Sequence, residues 1–96
     1  MQATLILRDR RSFDDGAILE VVVWRVPVPV PPTGHGLKYR LFYGRPGERL
    51  VGYDNERGKG DHRHYGEREE AYAFTSLAQL LDDFEADVVA MRGQAI

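Results

Sequence analysis

The segment Tyr53-Asp54-Asn55-Glu56-Arg57-Gly58-Lys59-Gly60-Asp61-His62-Arg63-His64-Tyr65 concentrates reactive side chains. Between its two terminal tyrosines, nine of its thirteen positions are polar or ionisable, set around two glycines. If His62-Arg63-His64 is extended, both imidazoles leave the strand on one face, because side chains along a strand alternate with a period of two. Two groups that exchange protons near neutral pH, with cations nearby, are the ingredients for cleaving RNA without a metal. That reaction needs a base for the 2′-hydroxyl proton, positive charge for the phosphorus centre and an acid for the leaving oxygen. The reading therefore assigns His62 and His64 to acid–base chemistry and Asp61 to orienting one imidazole, with Lys59, Arg63, Arg57 and Arg40 as phosphate ligands. Asp54 and Glu56 lie near enough in sequence to help, and are equally suited to capping the loop.

Other chemistries fit less well. A metal would need, beyond the two imidazoles, a third ligand from His35, Asp54, Glu56 or Asp61; the reading assigns no metal and expects no cofactor. Gly58-Lys59-Gly60 offers backbone N–H groups and a point charge to an anion, but the remaining P-loop residues and a strand-to-helix context are missing. The plainest alternative is an exposed hairpin loop in which Asp54 and Asn55 make local turn hydrogen bonds.

The elements that must hold these residues are legible in the patterning. Thr4 to Arg8 reads as a short strand, Asp14-Asp15-Gly16 as a turn, and Ala17 to Val26 as a central strand. On that strand Ile18, Val22, Trp24 and Val26 share one face with Glu20, while Leu19, Val21, Val23 and Arg25 share the other, so both faces are expected to be buried. Pro27, Pro29, Pro31 and Pro32 end the strand, because proline cannot donate to a sheet ladder. Leu37 to Tyr43 alternates again, Gly44-Arg45-Pro46-Gly47 turns, and Arg49 to Tyr53 returns antiparallel. A short strand through Tyr72 and Phe74 is expected before Ser76, which with Gln79 makes a capping box. Leu77, Leu80, Leu81, Phe84, Val88 and Met91 then form one helical stripe, Asp82, Asp83, Glu85 and Asp87 lie outside it on a solvated face, and Gly93 ends the helix. The predicted fold is α+β, an antiparallel sheet of four to six strands with one C-terminal helix packed on one face. Trp24 reads as core and His35 as a solvated loop residue.

Composition bounds the possibilities. Ninety-six residues make a single α+β domain over 1–96 the expectation, and 43% hydrophobic with 29% charged residues excludes collagen, coiled coil and wholesale disorder. No apolar run approaches the roughly 18 residues of a membrane span, so a cytoplasmic protein without a membrane partner is expected. The absence of cysteine removes disulfides, thiolate catalysis and Cys-based metal sites. Residues 1–66 hold eleven Lys/Arg against eight Asp/Glu and residues 67–96 hold two against seven, a front modestly basic and a tail acidic. That excess is weaker than the footprint of a dedicated nucleic-acid-binding domain. One helix cannot cover both faces of an apolar central strand, which points to a homodimer or a partner chain.

Trp24-Arg25-Val26-Pro27, His35-Gly36-Leu37-Lys38-Tyr39-Arg40-Leu41, the string from Tyr53 to His64, Tyr72-Ala73-Phe74 and Asp83-Phe84-Glu85-Ala86-Asp87-Val88 together resemble the TumE family of bacterial toxin–antitoxin proteins. The resemblance covers most of the chain, and the DNERGKGDHRH string within it is specific. It implies the toxin component of a type II system with a protein antitoxin, of helix-turn-helix type, encoded beside it. It carries over no catalytic residue. The site assignments rest on the residues themselves; taken with the toxin role that the resemblance implies, they favour a small toxin that acts on RNA by metal-independent phosphodiester cleavage, with a non-catalytic module that occupies a protein or nucleic-acid target as the alternative.

Overall fold

A computed structural model describes residues 2–96. Six strands, β1 (Thr4–Ser12), β2 (Ile18–Arg25), β3 (Leu37–Arg45), β4 (Glu48–Glu56), β5 (Gly60–Tyr65) and β6 (Arg68–Ala71), are followed by one helix, α1 (Leu77–Arg92). The strands form one open antiparallel sheet in chain order β1-β2-β3-β4-β5-β6, each paired with its sequence neighbour. The architecture is α+β, as the patterning predicts. β1 runs four residues beyond the expected Arg8, and the last strand ends at Ala71, so Tyr72 and Phe74 lie outside it.

The alternation of side chains decides which face becomes core. Leu19, Val21 and Val23 of β2, Tyr39, Leu41 and Tyr43 of β3, and Val51 and Tyr53 of β4 are buried on the face that α1 covers. The opposite face is not sealed: Ile18, Val22, Trp24 and Phe42 are half-buried. The expectation that β2 is buried on both sides, with Trp24 in the core, is thus met on one side only, because among the described residues no second layer packs over the other.

The helix docks through Leu80, Phe84 and Val88, spaced by four, with Leu77 and Leu81 at the margin and Met91 exposed at the far end. Burying each of these three apolar side chains is worth about 1.5–3 kcal/mol. Its start is fixed by Ser76, whose hydroxyl accepts from the Gln79 backbone N–H at 3.0 Å, and its end by Gly93 in the left-handed region at φ 72°. Gln79 does not complete the capping box, since its amide donates instead to Asp83 at 2.7 Å. The acidic side of α1 is also not simply solvated. Asp87 accepts the hydroxyls of Tyr53 and of Tyr65, the latter at 2.7 Å, and Asp83 accepts that of Tyr72 at 2.6 Å. Tyr53 and Tyr65 thus tie the helix to the sheet by charge-assisted bonds, and Tyr72 ties it to the segment that follows β6.

Candidate functional site

The unusual polar segment is a hairpin rather than a long loop. Its register sets Asp54 opposite His62 and Gly52 opposite His64, with Arg57-Gly58-Lys59 as the turn. Gly58 and Gly60 hold φ of +86° and +78°, which a side chain resists, and this closes the turn so tightly that the two strands begin pairing at Glu56 and Gly60. The turn is no anion cradle. Lys59 N–H donates to the Glu56 carbonyl at 3.1 Å and Gly58 N–H to the Pro31 carbonyl at 2.8 Å, so these donors are already used.

On the open face of the sheet His62 and His64 project side by side, ring centroids 5.1 Å apart, as the extended reading of His62-Arg63-His64 expects. Both are buried, at 3% and 5% exposure. His64 Nδ1 is 3.0 Å from an Arg49 guanidinium nitrogen. A guanidinium only donates, so Nδ1 carries the lone pair and the proton sits on Nε2, which faces Asp54 Oδ1 at 3.3 Å. The line Asp54–His64–Arg49 is therefore a carboxylate, an imidazole it orients, and a basic nitrogen covered by a guanidinium. Gly52 makes room for that cover, since a Cβ there would come within 2.6 Å of Arg49 Cδ.

His62 is held differently. Its Nδ1 donates to the Gly60 carbonyl at 3.0 Å, which leaves Nε2 without that proton. Nε2 lies 2.8 Å from Asp54 Oδ1, close enough for an ion pair, yet out of line for a hydrogen bond, so it is a sealed nitrogen with no aligned partner. Glu69 completes the rim, 3.6 Å from His62 Nε2, 3.8 Å from His64 Nδ1 and 3.5 Å from Lys59 Nζ. Partial desolvation pushes the Glu69 carboxyl up, but Lys59 and the two imidazoles outweigh it and hold it below its usual range.

Asp61 is not part of this cluster. Adjacent residues on a strand face opposite ways, so Asp61 and Arg63 point to the helix side while His62 and His64 point to the open side. Asp61 there accepts from Thr33 Oγ1 at 2.7 Å, Tyr39 OH at 2.6 Å and His35 Nε2 at 2.7 Å. The expectation that Asp61 orients His62 or His64 is corrected: the imidazole it holds is His35, and Asp54 takes the other role. His35 is not a solvated loop residue either, since its ring stacks on Phe74 at 3.7 Å and its Nδ1 accepts from Leu37 N–H at 3.2 Å. Burial raises the Asp61 carboxyl, but the bonds from Tyr39, His35 and Thr33 outweigh it and hold it below the ordinary carboxylate range. Arg63 is separated from the imidazoles too, bonded to Glu70 at 2.7 Å and lying over the rings of Tyr65 and Tyr72.

A family model described as Toxin TumE matches residues 2–92. The chain belongs to the TumE toxin family. No curated protein and no solved structure matches it. A toxin of this family implies an antitoxin partner, and no helix among the described residues is long and apolar enough to cross a membrane.

Of the cations expected to meet phosphate, the TumE-family chain keeps Arg40 on the open face directly across from Asp54, and Lys59 and Arg57 at the turn, while Arg63 is turned away. Arg49 and Asp54 are the residues that sequence reasoning underrated. Arg49 lies fifteen positions before His64, and only the β4–β5 register brings them together. Asn55 is fully buried. Its side chain accepts from Tyr39 N–H at 3.1 Å and donates to the Leu37 carbonyl at 2.8 Å, bridging β3 and β4 beyond their last paired residues beside the site. Asp54, His62 and His64 present ligand atoms within 4.8 Å of one another, so this toxin's cluster also has the donor set and spacing to hold a metal ion.

Proposed function

We propose that this TumE-family toxin acts on RNA by metal-independent phosphodiester cleavage, with His64 as the base. The observation that carries the reading is the Asp54–His64–Arg49 line, in which the basic Nδ1 is presented beneath a guanidinium suited to phosphate. An arriving phosphate draws Arg49 off Nδ1, the 2′-hydroxyl takes its place, and the 2′-oxygen attacks phosphorus while its proton passes to Nδ1. The bond to the 5′-oxygen breaks, and that oxygen takes a proton from water on the open face. Arg40, Arg49 and Lys59 offset the added negative charge. His62 packs against the base, ring centroids 5.1 Å apart, and borders Asp54. The partner is a protein antitoxin of helix-turn-helix type in a type II system, which rests on the family resemblance, and the setting is the bacterial cytoplasm.

The burial of both imidazoles favours one second reading, a non-catalytic module that acts by occupying its target. Purified toxin incubated with RNA, with and without chelator, separates the two. Cleavage is expected under both conditions, falling about 10²–10⁴-fold in His64→Ala with folding intact, and His62→Ala lowers turnover too. Lys59→Ala and Arg40→Ala chiefly weaken RNA binding and each flattens its salt dependence by about one phosphate contact. Loss of cleavage with chelator, restored by manganese or zinc, overturns the metal-free mechanism. Growth inhibition without any RNA cleavage, undiminished in both histidine variants, replaces it with the binding module.

A further inference from the structure

The sealed His62 Nε2 needs an explanation. Its ring is already committed through Nδ1 to the Gly60 carbonyl, and Nε2 faces the Asp54 carboxylate oxygen at 2.8 Å with no aligned hydrogen bond. A nitrogen and a carboxylate oxygen held that close and away from water need a positive centre between them, and a proton on Nε2 would lie out of line for a hydrogen bond, whereas a metal ion set off the line between the two atoms can engage both. His64 Nε2 stands 3.3 Å from the same oxygen, so three donor atoms converge on one point from two adjacent strands. At metal–ligand lengths of about 2.0–2.2 Å, neighbouring donors on a tetrahedral ion are separated by roughly 3.3–3.6 Å, and those on an octahedral ion by about 3 Å, so the two spacings to Asp54 need little adjustment, while the two imidazole nitrogens lie within 4.8 Å. The bond from His62 Nδ1–H to a backbone carbonyl is also what fixes a ligating imidazole in its metal-binding tautomer.

We propose that Asp54 Oδ1, His62 Nε2 and His64 Nε2 bind a divalent transition cation of zinc-like chemistry, and that binding moves the His64 proton from Nε2 to Nδ1 and releases Arg49. The proton must move because a nitrogen cannot bind a metal and carry its hydrogen at once. Arg49 must leave because Nδ1 then donates rather than accepts. Glu69, with a carboxylate oxygen 3.8 Å from Nδ1, is placed to receive that hydrogen. The consequence for activity rests on the reading of His64 as the base. The loaded site has no lone pair on Nδ1 and no free Asp54, so zinc silences the toxin and a chelator restores it.

The test titrates zinc chloride into the purified full chain by calorimetry and follows the histidine ring nitrogens by ¹⁵N NMR. One zinc per chain binds at low micromolar concentration, and the protonated nitrogen of His64 changes from Nε2 to Nδ1. His62→Ala and Asp54→Asn, each checked for folding by circular dichroism, bind at least about tenfold more weakly. The wild-type measurements stand even where a variant fails to fold. No zinc binding by wild type, binding without the tautomer change, or undiminished binding in both folded variants overturns the site. Cleavage that zinc stimulates overturns the silencing. A toxin that binds zinc with the tautomer change and never cleaves RNA refutes the nuclease reading while the site stands.

Discussion

Asp61→Ala separates the face that builds the fold from the face that carries the proposed chemistry. Asp61 accepts hydrogen bonds from Thr33, Tyr39 and His35 at 2.6–2.7 Å, with its side chain only 11% exposed. Each bond to a charged acceptor is worth about 1.5–3 kcal/mol, and because the donors share one carboxylate their losses do not simply add. Removing the acceptor from a buried pair costs about 3–5 kcal/mol, a large part of a small domain's stability. At about 4–8 °C per kcal/mol for a domain of this size, the melting temperature should fall by roughly 12–40 °C. The loss has a pH signature. The Asp61 carboxyl is held below its ordinary value in the folded chain, so its contribution is present above the unfolded pKa of about 3.9 and disappears as pH falls through the lower folded value. Melts of wild type and variant, followed by circular dichroism, should differ most at neutral pH and converge in acid. RNA cleavage per folded molecule should stay near wild type, because His62 and His64 face the other way. The reasoning fails if Asp61→Ala melts with the wild type, or if it folds normally yet loses cleavage as His64→Ala does.

Phe84→Ala, at a site 3% exposed and edge-on to Tyr53, should cost about 3–5 kcal/mol; a melting temperature equal to wild type would show that α1 does not pack on the sheet. Tyr39, Tyr53, Tyr65 and Tyr72 have pKa values raised by burial and by bonds to Asp61, Asp87 and Asp83, so the stability they confer is complete below about pH 10 and lost as pH rises beyond it. Their ionisation, read at 295 nm, should coincide with alkaline unfolding, and smooth independent titration near the ordinary tyrosine value would contradict this. The half-buried Ile18, Val22, Trp24 and Phe42 on the open face predict a homodimer or an obligate complex with an antitoxin at micromolar concentration. Light scattering that finds only a monomer, together with no binding of a hydrophobic dye, would refute that.

Local sequence determined much of this protein. The four-residue spacing of Leu80, Phe84 and Val88, the Ser76 cap and the Gly93 stop define the helix, because an α-helix is built from bonds only four residues apart. The period of two in His62-Arg63-His64 put both imidazoles on one face for the same reason, that strand alternation is local. Where a side chain's partner comes from a distant element, neighbourhood in sequence misled. Asp61 touches His62 in sequence but faces away from it, whereas Asp54, eight positions earlier, meets it across the hairpin. The tight turn at Arg57-Gly58-Lys59 decides that register, and a slip of one residue would present Asn55 or Tyr53 in place of Asp54. Tertiary structure alone also brought Arg49 over His64, turned Asp83 and Asp87 from solvated charges into acceptors for tyrosines, and drew the proline loop down so that His35 and Thr33 reach Asp61. Those pairings depend on how far apart in space the sheet places residues that the chain places far apart in sequence. The sheet fixes that distance only when every strand has found its neighbour.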